Sequence, residues 1–114
     1  MRGSGRHLGL LLRYVAIKRK GMITLNFGQA IEKVKQGDKI FRLGWNGKGM
    51  FVVYQKGYPQ GIPSNKQTAE AWGHNEGDLF KVEPYLQIKN AQGSHSMWVP
   101  SIGDILAEDW EVIK

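Results

Sequence analysis

The 114-residue chain contains no cysteine, which removes disulfide staples, thiolate metal sites and a cysteine nucleophile together. The redox compartment stays open. Long apolar runs are missing as well: Gly9 to Ile17 is short, is broken by Arg13 and is followed by no small-residue cleavage site, so neither an exported precursor nor a membrane span is expected. Cytoplasm is the default location. Histidine is scarce, and His7, His74 and His95 stand apart with no His-x-x-x-His pair, so no metal site and no cofactor are expected. The phosphate-loop pattern Gly-x-x-x-x-Gly-Lys-[Ser/Thr] is absent too. Four acids, Asp104, Glu108, Asp109 and Glu111, gather near the C-terminus. Such a group could form an acid/base pair or hold a divalent cation, but an exposed helix end and strand start account for it more simply.

Acidic residues are also missing from residues 1–21, where Arg2, Arg6, Arg13, Lys18, Arg19 and Lys20 carry the whole net charge of +6. The remainder holds ten basic and ten acidic residues and is formally neutral. A nucleic-acid-binding domain spreads its positive charge over a folded face, so this distribution disfavours a DNA or RNA module. Residues 1–21 read as a basic leader, artificial or added by an upstream start, with one domain over residues 22–114. Lys18-Arg19-Lys20-Gly21 before Met22 is what a purine-rich ribosome-binding region encodes. The competing reading is a basic arm for an anionic partner.

From Met22 the chain reads in short elements. Asn26 is a candidate N-cap, and Phe27, Ala30, Ile31 and Val34 fall on one face of an amphipathic helix that Gly37 ends. Lys39 to Leu43 and Met50 to Gln55 read as two strands joined by Asn46-Gly47, a pair that accepts the positive φ of a two-residue hairpin turn. Ile40, Phe51 and Val53 are core candidates. Gly57 to Asp78 is the least regular stretch, a long loop of a size often functional or mobile, in which His74 reads as solvated and Trp72 stays open between a cap on the core edge and a role in the loop. Pro84 places a strand start at or after itself, Asn90 to Gly93 reads as a turn, and Ser96 to Val99 pairs back. Ser101 can cap a short helix through Leu106, and Trp110 to Ile113 forms a last strand. The expectation is a small α+β domain, a mostly antiparallel sheet of about five strands with one N-terminal helix and a second short one.

Trp45-Asn46-Gly47-Lys48-Gly49-Met50 combines an indole face, an amide, a cation and two glycines that allow close backbone approach. That set suits a phosphorylated purine compound. Four stretches now occur in order: Asn26-Phe27-Gly28-Gln29-Ala30, Gly44 to Met50, Pro84-Tyr85, and Trp98-Val99-Pro100-Ser101 with Asp104 and Leu106-Ala107-Glu108-Asp109-Trp110. Together they resemble the second family of Thoeris anti-defence proteins, small phage and prophage proteins that act as sponges. The resemblance covers Met22 to Lys114.

It implies non-enzymatic sequestration of cyclic ADP-ribose type signals made by bacterial TIR-domain enzymes, with cyclic dinucleotides as a further ligand class, in the host cytoplasm. It also implies a homotetramer with nucleotide sites at subunit interfaces. By that resemblance Trp45 and Trp98 stack on the base, Asn46 bonds ribose or phosphate, and Gly47, Lys48 and Gly49 meet the pyrophosphate. Ser101 and Asp104 hold ribose hydroxyls, and Phe27 walls the pocket. Residue by residue, other readings stand beside these: Trp45 and Trp98 as core of the sheet, Lys48 as a solvated turn lysine, Ser101 and Asp104 as a cap and first-turn acid. Ile102-Gly103 stands where the family pattern carries polar residues. A phage structural or protein-interaction module is the alternative function. A nucleic-acid binder acting through the leader is third, and an enzyme comes last.

Overall fold

The computed structural model describes residues 24–113. The basic leader and the domain start at Met22 lie outside the described residues. The first element, α1 (Phe27–Lys35), starts where expected: the Asn26 side chain accepts from the Gln29 amide and the Gln29 side chain accepts from the Asn26 amide, a reciprocal capping box. Gly37, at φ 105°, lets the chain leave the helix and turn into β1 (Lys39–Arg42).

β2 (Phe51–Gln55), β5 (Tyr85–Lys89), β6 (His95–Met97) and β7 (Trp110–Ile113) join β1 in a five-stranded sheet of order β6-β5-β2-β1-β7. All its pairings are antiparallel. α1 packs across β1, β2 and β7 and against a short helix, α3 (Ile102–Leu106). Because strand side chains alternate, Ile40, Arg42, Val52 and Trp110 share the face under α1. Ala30, Val34, Ile40, Val52 and Trp110 are fully buried there and form the core. Each of the larger side chains contributes about 1.5–3 kcal/mol by burial. The opposite face carries Phe41, Phe51 and Glu111, with the Lys39 and Lys89 ammonium groups 5.1 and 5.2 Å from the Phe51 ring centre.

The α+β class and the five-stranded antiparallel sheet are as read from the sequence. The β1–β2 connection is not. Ile40 pairs with Val52, so residues 43–50 form a long loop rather than a two-residue turn, and the positive φ falls on Gly49 (76°), not on Asn46-Gly47. The ladder stops after Arg42 because the next amides are claimed elsewhere: Leu43 N–H donates to the Asp109 carbonyl at 3.0 Å and Gly44 N–H to Asp109 Oδ2 at 2.8 Å.

The stretch read as an irregular loop is also regular. It contains β3 (Tyr58–Pro63) and α2 (Lys66–Trp72), and β3 pairs with β4 (Leu79–Val82). Tyr58 opposite Val82 keeps the frame set by Gln55 opposite Tyr85, so β3–β4 prolongs the β2–β5 ribbon beyond the sheet. The ribbon bends at Gly57, φ 75°, whose missing Cβ leaves room for the Val82 and Glu83 carbonyl groups. The result is an arm tipped by α2. Among the described residues, none of its three elements packs on an element of the main sheet. Trp72 does not cap a core edge but is 73% exposed on the tip. His74 is half-buried rather than solvated, with Nδ1 3.2 Å from the Ser64 hydroxyl and its ring between Trp72 and Phe80.

Candidate functional site

A cation on the core face of a sheet needs counter-charges, and Arg42 has two. Its Nε donates to Asp109 Oδ1 at 2.9 Å and its Nη1 to Asp104 Oδ1 at 3.0 Å. These are charge-assisted bonds between part-buried groups. Burial disfavours the Arg42 charge, but hydrogen bonds and attraction from Asp109 and Asp104 outweigh it and hold the guanidinium above its ordinary value. The acids expected at an exposed helix end and strand start thus divide: Asp104 and Glu111 are buried, and Asp104 and Asp109 clamp Arg42.

Asp104 does more than pair. Ser101 caps α3 by accepting the Asp104 amide at 3.0 Å, and Asp104 Oδ2 accepts the Ser101 amide at 3.0 Å. The Trp45 indole N–H lies 3.4 Å from Asp104 Oδ1, and the Trp110 indole N–H donates to the Asp104 carbonyl at 3.0 Å. Burial pushes the Asp104 carboxyl up, but hydrogen bonds from Ser101, Arg42 and Trp45 overcome this and hold it below the usual carboxylate range. With two donors on Oδ1 and one on Oδ2, one acceptor direction of the carboxylate is left without a protein donor.

Three indoles meet above this carboxylate. Trp45 and Trp98 stand edge-on to Trp110 at ring-centre distances of 5.4 and 6.1 Å, and edge-on to each other at 6.3 Å. Such arrangements are favourable because a positive ring edge meets a negative face. Phe27 tilts against Trp110 from the helix side at 5.6 Å. Trp110 is fully buried, whereas Trp45, Trp98 and Phe27 are only half-buried and keep surface open.

The structure therefore brings Phe27, Trp45, Trp98, Ser101 and Asp104 together around Trp110. It sets Asn46, Gly47, Lys48 and Gly49 on the outer part of the same loop. Asn46, Lys48 and Gly49 are exposed. Gly47 packs against the β5–β6 turn, where a Cβ would come within 2.6 Å of Met50 Sδ and 2.9 Å of the Ala91 Cβ. The Gly49 carbonyl is held by Lys89 Nζ at 2.8 Å. Sequence reasoning missed Arg42, Asp109 and Lys89 as parts of the site, and saw Trp110 only as a strand residue. Arg42 was findable: two residues after Ile40, it falls on the core face, where a guanidinium demands a nearby acid.

Glu111 stands apart on the opposite face. It is buried, its Oε2 has no hydrogen-bond partner, and burial alone pushes its carboxyl up. Among the described residues, no group of three or more His, Cys, Asp or Glu is placed to hold a metal ion, and no helix is long and apolar enough to cross a membrane.

Comparison with known proteins places the chain. A protein of Bacillus phage SP01 named Thoeris anti-defense 2 is 35% identical over 93 residues, covering 79% of this chain and 96% of the phage protein. Residues 25–113, nearly all of the described structure, match the Tad2-like family, described as the Thoeris anti-defense 2-like domain, and the chain belongs to that family.

Proposed function

We propose that this chain is a non-enzymatic sponge, which binds a cyclic nucleotide immune signal of the cyclic ADP-ribose type and so blocks a bacterial anti-phage defence. Cyclic dinucleotides are a second ligand class. The reading rests on one observation: Trp45 and Trp98 are fixed edge to face over Trp110 while part of each stays open. A buried core tryptophan needs no such exposure, and a base-stacking wall does. Stacking of a base on an aromatic side chain is worth about 1–3 kcal/mol. Phe27 walls the same pocket from α1. Asn46, the Gly47 and Gly49 amides and Lys48 lie beyond Trp45 along the loop, where a ribose-phosphate portion would extend. Ser101 and the free acceptor direction on Asp104 meet ribose hydroxyls.

The membership just established supports the anti-defence role, and the phage protein's name carries the same word. We place the protein in the host cytoplasm, where such signals are made, and assemble it as a homotetramer with sites between subunits. A domain this small encloses little of a dinucleotide-sized ligand by itself.

The test is calorimetric titration with a panel of cyclic ADP-ribose isomers and cyclic dinucleotides, followed by denaturation and recovery of the ligand. Tight binding with intact ligand recovered is the expected result. Altered ligand would make the protein an enzyme. No heat from folded protein would leave the protein-interaction module as the function.

A further inference from the structure

The loop between β1 and β2 is held from outside, and its two halves are held by different parts of the chain. The first half answers to the residues around α3 and β7: the Asp109 carbonyl and carboxylate accept the Leu43 and Gly44 amides, and Asp104 lies within reach of the Trp45 indole N–H. The second half, Asn46 to Gly49, meets the β5–β6 hairpin instead. It does so through Lys89, Asn90 and Ala91, three consecutive residues that each do something different.

Lys89 ends β5 and stands opposite Phe51, the first residue of β2. Its ammonium group, 5.2 Å from the Phe51 ring centre, donates to the Gly49 carbonyl at 2.8 Å. Ala91 sets how closely the loop can approach. A Cβ on Gly47 would come within 2.9 Å of the Ala91 Cβ, an atom that its own backbone fixes, whereas Met50 Sδ at 2.6 Å ends a flexible side chain and can move away. Gly47 does not have a positive φ, so contact with Ala91 and not backbone conformation demands a glycine there. Asn90 stiffens the turn that presents both neighbours. Its side chain accepts the Gln92 and Ser94 amides at 3.0 and 2.9 Å, its amide donates to the Ser94 carbonyl at 2.8 Å, and its carbonyl accepts the Gly93 amide at 3.0 Å.

A stretch with two glycines in four residues has little conformational preference of its own. Ordering it only when a ligand arrives would weaken binding, and a loop already held in shape avoids that loss. We infer that Lys89-Asn90-Ala91 is a rigid template that positions Asn46 to Gly49 for the ligand, with Lys89 and Asn90 acting as positioning residues through the loop. That these four residues meet a ribose-phosphate portion rests on the sponge reading. That the hairpin holds them in place does not.

Two measurements keep the two apart, on full-length variants shown to be folded by circular dichroism and a thermal midpoint. The first needs no ligand. Backbone order parameters from nitrogen-15 relaxation are expected near about 0.85 at residues 47–49 of the wild type, and below about 0.6 there in Lys89→Met and Asn90→Ala, while Trp45 stays rigid. Lys89→Arg, which keeps a cationic donor, keeps the loop rigid. The second is calorimetric titration with cyclic ADP-ribose. Lys89→Met should bind about fivefold more weakly, the size of one hydrogen bond, and Lys89→Arg should bind as wild type does. Gly47→Ala should also weaken binding, and adding Ala91→Gly should restore it, a coupling that independent effects at the two positions would not give. A wild-type loop that is mobile at residues 47–49, or order parameters unchanged in both variants, would overturn the template. So would a Lys89→Met affinity equal to wild type, or no restoration by Ala91→Gly. A wild type that binds no cyclic nucleotide would instead count against the sponge reading, and the order parameters alone would then decide the template.

Discussion

Replacing Arg42 with methionine tests whether the Arg42 clamp holds the candidate site. The substitution keeps most of the apolar stem and removes the guanidinium between Asp104 and Asp109. Two carboxylates are then left facing each other, with the Arg42 side chain 23% exposed and those of Asp104 and Asp109 at 12% and 21% in the intact clamp. Breaking a fully buried pair costs about 3–5 kcal/mol. Water reaches this clamp in part, which lowers the expected loss to about 2–3 kcal/mol at neutral pH. Urea denaturation of the two proteins measures it.

The pH dependence separates this cause from lost packing. Asp104 has a folded-state value below its unfolded one. Its contribution is therefore present above the unfolded value, about 3.9, and is lost as pH falls through the folded value. Wild type and Arg42→Met should converge in that acidic window, where the carboxylates are neutral in both. Adding Asp104→Asn and Asp109→Asn to Arg42→Met should also recover much of the loss at neutral pH, since no uncompensated charge remains. A loss under about 1 kcal/mol, the range of an exposed pair, would refute the reasoning. So would a loss that stays constant down to acid pH.

Trp110→Ala removes a fully buried indole and should cost about 3–5 kcal/mol. Trp45→Ala should cost less, leave a folded protein and abolish the binding heat; if the two destabilise equally, Trp45 is core and not a ligand wall. Gly57→Ala drives a Cβ against the Val82 and Glu83 carbonyl groups at a positive φ. Hydrogen exchange should speed up through β3 and β4 while β1 and β7 stay protected, and equal loss in both regions would contradict the reading of a separate arm. Glu111 has its folded value raised by burial. Its contribution is present below the unfolded value, about 4.3, and is lost as pH rises through the folded value, so Glu111→Gln should gain on wild type as pH rises through that window. Urea midpoints that stay parallel across pH would rule this out.

Local chemistry wrote much of the fold into the chain. Asn26 caps α1 because its side chain can reach an amide three residues on, and Ser101 caps α3 for the same reason. The apolar spacing of Phe27, Ala30, Ile31 and Val34 fixed which face of α1 is buried, and Pro84 fixed where β5 could start. Trp45, Trp98, Ser101 and Asp104 were singled out by the family resemblance rather than by composition or spacing, and the fold gathers them around Trp110.

Long-range pairing decided the rest. Asn46-Gly47 is a good two-residue turn by composition, yet Asp109, 65 residues further on, takes the Gly44 amide and holds the loop open. Local propensity carries no information about such a partner. Gly57 to Asp78 looked irregular because its one strand, β3, carries two prolines and a glycine, and only pairing with β4 across the ribbon, in the frame set by β2 and β5, makes it a strand. Trp72 could not be told from a core residue by its type. Its exposure follows from where the arm points, and Arg42 became a keystone only when the fold brought two distant acids to it.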